Sequence, residues 1–198
     1  MEDKSYSVSY PDEPISYWIS STDDTNYPVL NDDITVDIAI VGGGISGITA
    51  AYLLKNEGLK VAVIEADMIL HGTTGHTTAK VTSQHGIIYS NIKNSLGNEM
   101  AKQYSSANEN AIKVIEDLVT KNNIDCDFEH ESSYVYTQDD KYIKQIQDEA
   151  STAADLGIKA SYIEECPLPF KIKAAVRFDD QAKFHPLKYL LALSKNIP

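Results

Sequence analysis

Arginine is almost absent from this chain. Of 17 basic side chains, set against 29 acidic ones for a net charge of −12, only Arg177 carries a guanidinium. A surface that binds a phosphate backbone needs clustered cations, so the composition excludes nucleic acid as a partner. Cysteine is scarce too. Cys126 and Cys166 lie far apart in the chain, with no histidine or second thiol at ligand spacing. That excludes a disulfide framework, leaves no expected metal site, and suits a reducing cytoplasm. No apolar run approaches the roughly 20 residues needed to span a bilayer. The start, Met1-Glu2-Asp3-Lys4, lacks the basic and then apolar stretch of a secretory signal.

The acidity is unevenly placed. Residues 1–37 hold Glu2, Asp3, Asp12, Glu13, Asp23, Asp24, Asp32, Asp33 and Asp37 against Lys4 alone. The charge therefore describes an acidic leader more than a folded body. The 198 residues suit one domain or one and a half. Residues 1–33 read as an N-terminal arm, extended with one short helix and docked through Tyr17, Trp18 and Ile19.

From Ile34 to Val41 the pattern is that of a buried parallel strand, because Ile38-Ala39-Ile40-Val41 is continuously apolar. Glycines 42–44 break it. A helix follows over 45–56, with Ile48, Ala51, Tyr52 and Leu54 toward the sheet and Gly58 placed to end it. Residues 60–65 form a second short apolar strand, completing a βαβ unit. Residues 66–90 look like a loop. A long amphipathic helix is predicted over 97–122, its apolar face made by Met100, Tyr104, Ala107, Ala111, Ile115 and Leu118. Cys126–Phe128 and Tyr134–Thr137 read as an antiparallel pair, 139–156 as a helix closed by Gly157, 158–163 and 172–178 as strands. A last helix begins near Pro186.

The chemistry lies in Gly42-x-Gly44-x-x-Gly47, set between a predicted strand and a predicted helix. Gly42 permits the tight turn, Gly44 lets backbone approach a pyrophosphate, and Gly47 lets helix pack closely on sheet. A diphosphate would then lie at the helix N-terminus, where free N–H groups and the macrodipole favour anionic oxygen. Glu65 closes the second strand, where it would accept hydrogen bonds from ribose hydroxyls and repel a 2′-phosphate. That leaves NAD or the ADP half of FAD. The following loop, Ala66 to Lys80, offers hydroxyls, small residues and amides suited to a second long cofactor moiety, which favours FAD.

With these segments in view, the sequence resembles the FAD-dependent oxidoreductases of the D-amino-acid oxidase, glycine oxidase and sarcosine oxidase superfamily. The likeness is carried by the Gly42–Gly47 turn, Glu65-Ala66 and Gly72-Thr73-Thr74. More narrowly, residues 72–80 and 184–190 resemble a bacterial subgroup whose flavin domain precedes a Rieske iron–sulfur domain. The resemblance implies an α/β fold: a Rossmann-like βαβ unit for FAD or NAD(P) with part of a mixed α+β substrate domain. On it, 34–90 would bind the ADP moiety, 91–185 would be a partial substrate or cap domain, and 186–198 would start a helix returning to the FAD domain. It assigns ADP ribose to Glu65 and Ala66, and the diphosphate to Gly42, Gly43, Gly44, Ser46 and Gly47. Thr73 and Thr74 would approach the pyrophosphate and ribityl chain. His76, Thr77, Thr78 and Lys80 would run past the flavin ring, with Lys80 placed to offset charge developing on it.

The resemblance also implies an amine or amino acid substrate, oxidised at its C–N bond, and electron transfer to oxygen or an iron–sulfur partner. Neither cysteine stretch supplies the Cys-and-His pairs of a Rieske centre. Family members need a further strand, a larger substrate sheet and a late flavin-contacting segment, so the chain reads as an N-terminal fragment with catalytic residues unassigned. The alternatives are an NAD-dependent dehydrogenase and a non-catalytic nucleotide-binding module. His71 and His76 lack converging ligands. His85 and His130 read as turn-stabilising and solvated, and His185-Pro186 as a helix start.

Overall fold

A computed structural model describes residues 14–197. Residues 1–13 of the expected arm, and Pro198, lie outside the described residues. Two units are formed, one from 14–77 with 193–197 and the other from 78–192. The segment 34–90 thus contributes to both.

The first unit opens with a single helical turn, α1 (Tyr17–Ser20), whose N-cap Ser16 accepts a hydrogen bond from the Trp18 N–H at 3.2 Å. Then come β1 (Ile38–Val41), α2 (Ile45–Asn56) and β2 (Val61–Ile64). The strands pair in parallel, Ile38 opposite Val61 and Val41 opposite Ile64, a geometry that requires a crossover such as α2 supplies. Asp37 starts the pairing from both its groups: its N–H donates to the Lys60 carbonyl, and its carboxylate accepts from the Lys60 N–H at 2.8 Å. This is why the strand begins at Ile38 and not at Ile34. At the other end of α2, Gly58 takes φ +86°.

The expectation that β1 is covered on both faces is not met within this unit. Its residues alternate between half-buried and exposed, and Val41 is 87% exposed. Only one helix layer covers the pair here, through Ile48, Ala51 and Tyr52.

In the second unit the elements are β3 (Lys80–Val81), α3 (Tyr89–Leu96), α4 (Asn98–Lys121), β4 (Glu129–Thr137), α5 (Ile143–Asp155), β5 (Ala160–Ile163), β6 (Ala174–Lys183) and α6 (Pro186–Ser194). β6 is the spine of an antiparallel sheet. β4 pairs along one edge, while β5 and β3 share the other. Ala174, Val176 and Phe178, two apart and so on one face, are fully buried against Tyr89, Ile146, Ala150 and Ala153 of the helices. A bulge interrupts β6 at Asp179-Asp180, where Asp180 takes φ +58°. The lone guanidinium is spent there: Arg177 meets Asp179 through Nε at 3.0 Å and Nη2 at 3.1 Å.

Three predicted elements differ from those observed. Cys126–Phe128 is not a strand, because Asp127 turns to φ +52° and the Cys126 carbonyl accepts from the His185 N–H at 2.6 Å. The strand begins at Glu129 and its partner is β6. Residues 66–90 are not all loop: they hold a 3-10 turn at Thr73–His76, β3 and the start of α3. Finally, α4 buries Ala101, Ser105, Ile112 and Leu118, leaving Met100, Ala107 and Ala111 exposed. Alanine carries too little apolar area to fix a helix face, so the neighbouring helices decide it.

One buried carboxylate organises this unit. Glu149 of α5 is fully buried and serves the N-terminus of α3, whose N-cap, Ile88, has no acceptor to offer. Its Oε1 accepts from the Ile88 and Tyr89 N–H groups at 2.8 Å each. Its Oε2 accepts from the Ser90 N–H at 2.9 Å and the Ser90 hydroxyl at 2.7 Å. Negative charge belongs at that end of a helix, and all four donors are satisfied by one side chain.

Candidate cofactor-binding site

The glycine turn joins β1 to α2. Gly42 takes φ +107°, a conformation side chains resist, and its N–H donates to the Ile64 carbonyl at 2.8 Å. At Gly47 the constraint is one of space. A Cβ there would lie 1.9 Å from the Gly42 carbonyl oxygen and 3.4 Å from Ile40 of β1. The helix therefore starts closer to its strand than any side chain would allow. Gly43 is hemmed by Ile69, whose Cγ2 would meet a Cβ at 2.6 Å.

Glu65 lies at the end of β2 and turns back onto this loop. Its Oε2 accepts from the Gly43 N–H at 2.7 Å, and its Oε1 accepts from the Ala66 and Asp67 N–H groups at 2.8 and 3.3 Å. These bonds, the one from Gly43 foremost, hold the carboxyl below the usual carboxylate range. A carboxylate has about four acceptor positions, so with three taken by N–H groups one remains for a hydroxyl donor.

The chain after Glu65 returns to the same turn. Leu70, with φ +67° and 2% exposure, donates its N–H to the Gly43 carbonyl at 2.9 Å. Thr74 is buried, and its Oγ1 accepts from the Ile45 N–H, the first of α2, at 3.1 Å. The N-cap of α2, Gly44, has no side chain with which to do this. Thr73, Ser46 and Ala66 are exposed nearby in sequence to these anchors.

The remaining predicted residues have separate surroundings. His76 is exposed, its Nδ1 2.9 Å from the Gly72 carbonyl, and His71 meets Asp24 at 3.8 Å. Thr77 lends its carbonyl to the Trp18 indole N–H at 2.8 Å. Thr78 and Lys80 belong to the second unit, both exposed, with Lys80 opposite Lys183 in the sheet. Among the described residues no three His, Cys, Asp or Glu side chains converge as a metal site. Sequence reasoning passed over Ile69 and Leu70. An apolar pair inside a polar loop is the signal that could have found them, although a left-handed leucine has no sequence signature.

A family profile described as FAD dependent oxidoreductase (DAO) matches residues 37–197. The chain belongs to that family of FAD-dependent oxidoreductases. It is 42% identical over 184 residues, 93% of its length, to the putative Rieske 2Fe-2S iron-sulfur protein YhfW of Bacillus subtilis, and covers 36% of that protein. It is 27% identical to the gamma-glutamylputrescine oxidoreductase of Escherichia coli, over 68% of this chain and 32% of that one. A crystal structure of glycine oxidase from Bacillus cereus superposes with a TM-score of 0.60 at 19% identity, covering 82% of this chain and 44% of that one. The α/β fold is shared with that structure. The chain spans about a third of the length of the two sequence relatives.

Family membership decides for FAD over a nicotinamide cofactor, and the residues present fit its diphosphate. A helix N-terminus faces a turn in which a Cβ on Gly43 or Gly47 would be excluded, an acidic strand end lies beside it, and a threonine hydroxyl reaches the first helical N–H.

Proposed function

We propose that this chain carries the FAD-anchoring part of an oxidoreductase that oxidises the C–N bond of an amine or amino acid. The observation that carries the proposal is the hydrogen-bonded set of Gly43, Glu65, Thr74 and Ile45 at the start of α2. In it, Glu65 accepts a hydrogen bond from the ribose at the position its three N–H bonds leave open. The backbone of Gly44 and Ser46 receives the diphosphate, Gly42, Gly43 and Gly47 shape the turn that admits it, and Thr73 and Thr74 stand beside it. Ala66 stands at the ribose, and His76 and Thr77 lead on toward the flavin. Thr74 takes the first N–H of α2 on its oxygen, which leaves its own O–H to donate to the diphosphate.

Bound there, FAD would supply the two-electron acceptor for this oxidation, with flavin N5 as the hydride-accepting position. The amine substrate class is supported by relatives titled gamma-glutamylputrescine oxidoreductase and glycine oxidase. Passage of electrons to an iron–sulfur domain is supported by the relative titled a Rieske protein.

The decisive measurement is the spectrum of the supernatant after denaturing the purified protein. Released flavin supports the reading, and its retention should fall in Glu65→Ala. Where the protein is isolated without cofactor, FAD and ADP should raise Tm and nicotinamide mononucleotide should not. A Tm raised by NAD but not by FAD would overturn the assignment.

A further inference from the structure

The described part of the arm meets the cofactor loop at two backbone carbonyls. The Ser16 hydroxyl donates to the Gly75 carbonyl, and the Trp18 indole N–H donates to the Thr77 carbonyl. Between these two bonds Ile19 fills the space over Gly75, where a Cβ would come within 2.9 Å of Ile19 Cδ1 and 2.8 Å of the Leu70 carbonyl oxygen. Gly75 is buried although it lies in a single 3-10 turn of a polar loop. The residue before it, Thr74, is the one that reaches the first N–H of α2. Three arm side chains thus bracket the backbone on the C-terminal side of Thr74.

We propose that Ser16, Trp18 and Ile19 form a clamp that holds residues 72–77 in register, keeps the Thr74 hydroxyl at the N-terminus of α2, and thereby sets how tightly FAD is retained. The proposal rests on the FAD reading of this site. These are positioning residues: they act through backbone carbonyls of the loop. Without them the loop keeps its link through Leu70 to Gly43 and the turn's own bond from the Gly75 N–H to the Gly72 carbonyl, but it loses the outside contacts that seat the turn, and Thr74 exchanges its helix contact for water. The clamp's own contacts are two neutral hydrogen bonds and one apolar packing contact, and the arm also meets the loop next to it through Asp24, 3.8 Å from His71.

The test uses Trp18→Phe, which keeps an aromatic ring without the donor, Ser16→Ala, and Gly75→Ala, which drives Ile19 out. Ser16→Thr, which keeps the hydroxyl, and Ile15→Ala at an exposed neighbour serve as controls. Two quantities are read: amide hydrogen exchange of the FAD-free protein, and the Kd for FAD from flavin fluorescence. Each of the three variants should speed exchange over 72–78 while leaving β1 and β2 protected. Each should weaken FAD by roughly three- to tenfold, as expected for one lost hydrogen bond or its equivalent. Ser16→Thr and Ile15→Ala should match the parent protein. Faster exchange spread evenly through the first unit would overturn the clamp in favour of general stabilisation by the arm. Unchanged FAD affinity in all three variants would overturn it while leaving the cofactor reading intact. A parent protein that takes up no FAD would overturn both.

Discussion

Gly47→Ala tests whether the close approach of α2 to its strand is needed. In a helix this substitution is ordinarily favourable by about 1 kcal/mol, because alanine restricts the unfolded chain. Here the new Cβ would lie 1.9 Å from the Gly42 carbonyl oxygen and 3.1 Å from its carbonyl carbon. Both are backbone atoms of the tight turn, so no side chain can swing aside. To move from 1.9 Å to the 3.4 Å of ordinary contact, the start of α2 must withdraw by about 1.5 Å. Overpacking costs about 1–3 kcal/mol where side chains can adjust, so a backbone clash belongs at or above the top of that range. Net of the helical gain, the loss is about 2 kcal/mol or more, which for a chain of this size lowers Tm by roughly 4–8 °C.

The same displacement acts on function separately. Hydrogen bonds from the first turn of α2 to a diphosphate do not survive lengthening of that size, so FAD affinity should fall by at least about tenfold, the equivalent of 1.4 kcal/mol. Gly58→Ala is the matched control. Gly58 has φ +86° with no atom near its would-be Cβ, so alanine there strains the backbone by about 1–2 kcal/mol without moving the turn. Thermal denaturation and FAD titration of the two variants together separate strain from displacement. If Gly47→Ala keeps the parent Tm and the parent Kd, the packing argument for this glycine is wrong.

The other predictions concern the second unit. Glu149→Ala should cost about 3 kcal/mol or more in urea denaturation, since it strands the buried Tyr89 N–H and the part-buried N–H groups of Ile88 and Ser90 at the start of α3; Glu149→Gln, which presents a donor to part of the same set, should cost about 2 kcal/mol. His185 caps α6 by accepting the Lys188 N–H on Nδ1 at 3.2 Å, and burial first, then the charge of Lys188, hold its pKa below the ordinary 6.5 against the opposing pull of Asp127. Below pH 6.5 the unfolded chain therefore gains this proton before the native state does, and stability should decline as pH falls toward the native value. His185→Asn keeps a capping acceptor and should flatten that decline in Tm measured from pH 7.5 to 5. His130 works in the opposite sense, its pKa raised first by the hydrogen bond to Glu116, so the comparison must be made between parent and variant at each pH. Cys126, 1% exposed and with its thiol pushed up to about 11, should resist iodoacetamide in the native protein while the half-buried Cys166 reacts; equal labelling of both would contradict the burial of Cys126.

What the sequence made legible follows from the range of the forces involved. The turn from Gly42 to Gly47, the bounds of α2 and the stop at Gly58 are set by neighbours a few residues away, and each agrees with the structure. Elements fixed by distant partners were misread. Cys126–Phe128 alternates like a strand, yet a hydrogen bond from His185, far along the chain, turns it aside. The face of α4 depends on which helices pack against it, and its alanines favour none. Glu149 reads as one more charged residue in an amphipathic helix until the end of α3 is brought to it.

The candidate site shows the same division. Gly42, Gly47 and Glu65 can be assigned from spacing because each answers a local demand of strand, turn or helix. What holds them at their stations lies elsewhere in the chain: Leu70 and Thr74 grip the turn from the loop after β2, and Ser16, Trp18 and Ile19 grip that loop from the arm. Each layer is further away in sequence and less marked in composition than the one it supports. A polar loop is ordered here by an apolar pair, Ile69-Leu70, and by a buried glycine under Ile19, and the Thr74 hydroxyl is held with it. On the proposed reading, that ordering is what would turn a common glycine turn into a site shaped before a diphosphate arrives, with the Thr74 hydroxyl and the start of α2 already held in place.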